Sequence, residues 1–239
     1  MVRNLFFIVI SMVLLNTVYS QSADEIIDKH YEAIGGKEIW KSITTLKTTG
    51  NVSMGPMVLN FTSYQVSPDK FRMDVDMQGQ SLVQLFDGTD GWMLNPFKGD
   101  TKFEKVDKET AKGLKEKGNI AGKLMTYKED GAQITYLGKE TVDSVEVYKI
   151  KYQDIDGDFA IYFIDTETFM INKLETERTI QGKNIATEVI FGNFKTTGKV
   201  ILPFEMVTTS SASRGMVQKV TIEKVEFDVE IDKGLFDVK

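Results

Sequence analysis

The side-chain constellations able to do acid-base, nucleophilic or metal chemistry are few and poorly placed for it. The chain has one histidine and no cysteine, so Cys-His catalysis and the common zinc sites lack their donors. His30 falls on the apolar side of an amphipathic pattern, where an imidazole is packed core more often than a base. The run Asp154-Ile155-Asp156-Gly157-Asp158 begins as a calcium loop does, with oxygen donors at alternate positions. Its later glycine position holds Phe159, and the twelfth holds Asp165 in place of a bidentate glutamate. A hairpin turn at Asp156-Gly157 is the better reading. Asp74 and Asp76 alternate with large apolar residues, which turns them to water and makes them a poor acid-base pair. No Gly-rich phosphate loop precedes a helix, and no nucleophile-elbow pentapeptide occurs. The residues predict no catalytic group, no metal and no cofactor; an exported hydrolase is a weak reading.

What the chain has in quantity is bulk at alternate positions. Leu59, Phe61, Phe71, Met73, Val75, Met77, Trp92, Leu94, Phe163, Phe191, Phe204 and Met206 would all project to one side of a sheet read by strand parity. They either fill a core or line an apolar cavity. Flexible methionines suit a surface that accepts varied apolar ligands, and burying acyl carbons is worth about 0.8 kcal/mol per CH₂.

These side chains need strands to position them. In Phe71-Arg72-Met73-Asp74-Val75-Asp76-Met77 every second residue is large and apolar and the others are charged. Met57, Leu59 and Phe61 repeat the pattern across the Ser67-Pro68-Asp69 turn, and further short strands follow to Phe227. Asp-Gly and Gly-Lys pairs separate them, including Asp87-Gly88 and Gly182-Lys183. Strands without intervening helices exclude βαβ winding and predict a mainly β fold, a strongly curved antiparallel sheet or unclosed barrel. Two segments differ. Ala23, Ile26, Ile27, His30, Tyr31 and Ile34 have helical spacing behind a Ser22/Glu25 capping box and stop at Gly35-Gly36. The stretch 105–127 is charged at first and apolar later at Ile120, Leu124 and Met125, which predicts a helical insertion that caps the barrel as a lid.

Residues 1–20 read as a cleaved signal peptide: Arg3, an apolar run from Leu5 to Leu15, then Val18-Tyr19-Ser20. The run is too short to cross a bilayer, and without a cysteine there is no lipid attachment site. The expectation is a single domain over 21–239, exported to the periplasm. A net charge of −6 argues against nucleic acid or an anionic bilayer as the main partner.

Two runs carry a family resemblance: Ser67-Pro68-Asp69-Lys70-Phe71-Arg72-Met73, and Phe86-Asp87-Gly88-Thr89-Asp90-Gly91-Trp92-Met93-Leu94-Asn95-Pro96-Phe97. Phe191-Gly192-Asn193-Phe194 and Val200-Ile201-Leu202-Pro203-Phe204 are a later echo. Together they resemble the LolA/LolB-like lipoprotein-sorting proteins and their lipid-binding relatives. The resemblance implies an unclosed β-barrel covered by helices and a periplasmic carrier that shields lipoprotein acyl chains or another lipid. It also implies inner- and outer-membrane sorting partners, a monomer and no covalent chemistry. Where the family's carriers have an arginine before the strand-opening proline, this chain has Ser67, so their release mechanism does not carry over. The alternative is a non-carrier envelope protein that uses the half-barrel to bind a protein partner or sense envelope state.

Overall fold

The computed structural model describes residues 22–238 except Gln181 and Arg214, so the expected signal peptide lies outside the described residues. Helix α1 (Ala23–Ala33) begins at Ser22, whose side chain accepts from the Glu25 N–H while Glu25 accepts from the Ser22 N–H. Helix α2 (Lys37–Ser42) follows across Gly35-Gly36. Then come β1 (Thr45–Met54), β2 (Met57–Val66), β3 (Lys70–Met77), β4 (Gln80–Phe86), β5 (Gly91–Leu94) and a two-residue β6 (Glu104–Lys105). The expected insertion is two helices, α3 (Lys108–Gly118) and α4 (Lys123–Thr126), parted at Asn119–Gly122 where Gly122 has φ 81. The remaining strands are β7 (Gln133–Val142), β8 (Val145–Gln153), β9 (Phe159–Asp165), β10 (Ile171–Ile180), β11 (Lys183–Thr197), β12 (Val200–Ser210) and β13 (Gln218–Phe227).

Among the described residues thirteen strands form one antiparallel sheet in the order β6-β5-β4-β3-β2-β1-β13-β12-β11-β10-β9-β8-β7. Its ends, β6 and β7, do not pair with each other, so the barrel is unclosed. Its curvature follows from what α3 touches. Leu114 packs on Phe71 of β3 and Phe86 of β4, while Lys112 reaches the β8–β9 turn. In a flat sheet β3 and β9, seven strand spacings apart, would be separated by roughly 34 Å. An 11-residue helix is about 16 Å long. One short helix meets both because the sheet curls around it.

The helices lie on the inner face. Ile26, Ile27, Tyr31 and Ile34 pack with Trp40 against Tyr148, Ile150 and Tyr152 of β8, Tyr162 and Ile164 of β9, and Val200 of β12. Two glycines permit close approach. A Cβ on Gly118 would lie 2.0 Å from the Asp69 carbonyl oxygen, and one on Gly50 would lie 2.2 Å from that of Thr221. Gly50 sits at a register shift between β1 and β13, where a bulge bends the sheet.

Ile26 is 0% exposed in this core, whereas Ile155 at a turn is 78% exposed. We expect Ile26→Ala to cost about 2–5 kcal/mol of unfolding free energy and Ile155→Ala less than about 0.5 kcal/mol, measured by urea denaturation.

Candidate functional site

The register decides which of the predicted lining residues share a face. Leu59 pairs with Val52, Val52 with Val220, Val220 with Met206, and Met206 with Phe191, a row of apolar side chains across five neighbouring strands. Leu82, Val75, Phe61, Gly50 and Ile222 form the next row. Met73 and Phe71 continue this face toward the helices, and Met77 lies at its other end. Exposure divides the set. Phe61, Phe71 and Phe204 are buried and pack, whereas Leu59, Met73, Val75, Met77, Phe191 and Met206 are half-buried and accessible. The helices cover the end of the inner face near Phe71 and leave the end near Met77 open.

Three predicted residues face the other way. Phe86 pairs with Gly91 across the loop 87–90, so the inner positions of β5 are Gly91 and Met93, and Trp92 and Leu94 point outward opposite Leu85 and Val83. Asp87 makes that loop: its Oδ1 accepts from the Thr89 and Asp90 N–H groups, each at 2.8 Å, and its Oδ2 from Trp92 Nε1 at 2.8 Å. Burial opposes the Asp87 charge, but these bonds hold its pKa below the ordinary carboxylate value. The Asp-Gly-x-x-x-Trp spacing is therefore a hairpin lock. Phe163 is also on the outer face. It pairs with Lys149 and Lys173, whose ammonium groups cap its ring at 5.3 and 4.0 Å, and it lines a groove of about 160 Å³ with Val147 and Ile190. Its strand is apolar at nearly every position, so alternation gave no parity signal.

The expected lid is partly core. Leu124 is buried beneath Tyr31, whose hydroxyl donates to the Ala121 carbonyl at 2.8 Å. Ile120 and Met125 reach a cavity of about 540 Å³ at the helix-covered rim, lined also by Trp40, Ile43, Tyr152, Lys112, Glu116 and Lys123. Burial, with Asp130, Asp154 and Glu116 nearby, pushes the Tyr152 hydroxyl up to about 12. This rim cavity is mixed in character, unlike the inner rows.

The acidic run is a turn, as expected, with a second use that the sequence reading missed. Lys112 Nζ lies 2.7 Å from Asp156 Oδ2, 2.8 Å from Asp158 Oδ2, and 2.8 Å from Asp154 Oδ2. Burial penalises this ammonium, and the three aspartates outweigh that and raise its pKa. A protein cation stands where a metal would be sought; among the described residues no cluster suited to a metal ion occurs. Arg178, on the inner face of β10, pairs with Glu116 of α3, and Lys123 pairs with the same carboxylate at 2.5 Å. Asp74 faces outward and pairs with Arg72 at 2.8 Å.

Neither curated proteins nor family models match the sequence. Solved structures do match in fold. A DUF1329 family protein from Desulfovibrio piger aligns with a TM-score of 0.62 at 9% identity, covering 91% of this chain and 98% of that one. The LolA superfamily protein NE2245 from Nitrosomonas europaea gives 0.61 at 13% identity, covering 90% and 98%. The fold is LolA-like. A putative outer membrane lipoprotein-sorting protein domain from Vibrio parahaemolyticus aligns at 0.58 with 13% identity, covering 89% and 95%. This chain shares the LolA-like architecture, here an unclosed sheet with helices on its inner face, at 9–13% identity.

His30 is 6% exposed, and its Nδ1 lies 2.7 Å from the Phe169 carbonyl oxygen. Burial pushes its pKa down to about 4, with that hydrogen bond acting in the opposite sense. The folded protein keeps this imidazole neutral, whereas an unfolded chain with an ordinary value of 6.5 takes up a proton. Stability is therefore full above pH 6.5 and falls as pH drops toward 4, by about 2–3 kcal/mol between pH 7.5 and 4.5. Unfolding free energies from urea denaturation at those two pH values should differ by that much less in His30→Phe than in the wild type, the carboxylate contribution being common to both.

Proposed function

We propose that this protein binds acyl chains along its inner face and carries a lipid or the lipidated end of a lipoprotein through the periplasm, without catalysis. One observation carries the reading: the row Leu59, Val52, Val220, Met206 and Phe191 crosses five strands without a polar interruption, and most of it stays accessible. Leaving such side chains uncovered costs about 25 cal/mol per Å² of apolar surface, a cost that an acyl chain laid along the row would remove. The LolA-like fold supports the reading, since the Vibrio relative of that fold is described as lipoprotein-sorting. The absence of catalysis rests on the chemistry: the imidazole is buried and neutral, and Asp74 and Asp76 are on the outer face away from the rows. Among the described residues no helix is long and apolar enough to cross a membrane.

A second reading, that the half-barrel docks a protein partner, draws on one observation. The β1–β2 and β12–β13 hairpin ends expose Met54, Met57, Val58, Met216 and Val217 side by side at the open end. The same end would be the entrance for a carried chain, so acyl binding accounts for both features.

Native mass spectrometry of the protein purified without detergent from an exporting host tests the reading. We expect a stoichiometric acyl-containing adduct, lost by at least about tenfold in Met77→Glu at unchanged thermal stability. A protein that emerges unliganded and takes up no added lipid would instead favour the partner-docking reading.

A further inference from the structure

The charges on the inner face are segregated in a way that the overall charge of the chain conceals. By register, the inward positions of β1–β4 and β10–β13 include Arg178, Lys183 and Lys195 and no carboxylate among the described residues. The acidic residues of the same strands, Asp74, Asp76, Glu175, Glu188, Glu205 and Glu226 among them, all point outward. In a chain with a net charge of −6, the strands of the central concave face contribute only cations to it, and Glu116 of α3 pairs with one of them.

The helix above that face adds another. Lys117, in the last turn of α3, holds its ammonium 5.5 Å from the centre of the Phe71 ring, and its backbone carbonyl accepts from the inward-facing Gln65 at 2.5 Å. A lysine in a final helical turn offsets the helix dipole wherever it points, and most such lysines point to bulk water. This one remains open to water, yet surrounding protein and the repulsion of Arg178 both lower its pKa. It projects from α3 over the Phe71 ring on the inner face. Among the described residues no carboxylate lies within ion-pair distance of it, whereas Lys112 has three partners and Arg178 and Lys123 share Glu116.

We propose that Lys117 anchors the head group of the ligand, and that the ligand is an anionic amphiphile: an acyl chain on the apolar rows, ending in a carboxylate or phosphate. The inference rests on the acyl-binding reading above and narrows it. A cargo whose polar end is uncharged would leave Lys117 without a counter-charge. An anionic head supplies that charge.

The test compares oleate with its uncharged glycerol ester by equilibrium binding to the protein, alongside vesicle-free phosphatidylglycerol and inorganic phosphate. We expect oleate and phosphatidylglycerol to bind at least about tenfold more tightly than the ester, with an advantage that shrinks as salt is raised. Lys117→Gln should erase the advantage and leave ester binding unchanged, and Lys117→Arg should restore it. Equal binding of oleate and ester, or an advantage that survives Lys117→Gln, would overturn the head-group anchor while leaving acyl binding intact. Binding of none of the lipids would overturn both readings. Displacement of oleate by inorganic phosphate at millimolar concentration would show a free-anion site and so overturn the amphiphile; carboxylate or phosphate preference is read from the two anionic lipids. Because Lys117 is exposed, these substitutions should leave thermal stability unchanged, which separates lost binding from lost folding.

Discussion

The rest of the structure depends on the curl that brings strands seven places apart to opposite sides of a single helix. Each neighbouring pair in a sheet rotates by about 20–25°, and register shifts in β1, β7 and β10 add local bends. The result is a face that converges at one end, where four short helices suffice to cover it, and stays open at the other. Two kinds of contact hold α3 there. Leu114 and Gly118 seat it on β3, β4 and the turn at Asp69 by close packing, and Lys112 and Glu116 tie it to the strands across the gap by charge. Partly exposed ion pairs contribute little stability, about 0–1 kcal/mol each, so apolar burial carries the energy. The aspartates at the β8–β9 turn instead fix where along the gap the helix sits.

The sheet, its antiparallel order and the helical segments were legible because they rest on local periodicity. Ser22 and Glu25 cap α1 as their spacing implied, and Phe71 through Met77 alternates faces without exception. The failures have separate causes. Trp92 and Leu94 were assigned inward by counting along the chain, but the face of β5 depends on the four residues between Phe86 and Gly91, whose pairing is a property of the Asp87 loop. In Phe163 the difficulty was a strand buried on both sides, with lysine stems covering its outer face. The pairing of Lys112 with Asp154, Asp156 and Asp158 joins residues more than forty positions apart, and no local pattern announces it.

Strand parity also links fold stability to the ligand chemistry proposed for the inner face. One alternating pattern sends Leu59, Phe61, Met73, Val75 and Met77 inward, and the same pattern sends Asp74 and Asp76 outward. A slip of one residue in β3 would exchange them, placing two carboxylates among the apolar rows. Such a slip is opposed at several points at once. Phe71 is locked under Leu114, the Arg72 guanidinium donates both to Asp74 and to the Leu235 carbonyl, and Gly50 admits the Phe61 ring where any other residue would meet the Thr221 carbonyl. These constraints stabilise the sheet, and they also keep negative charge off the surface on which an anionic ligand would lie. The same register therefore puts the carboxylates of β3 on the outer surface and leaves its inner face without them.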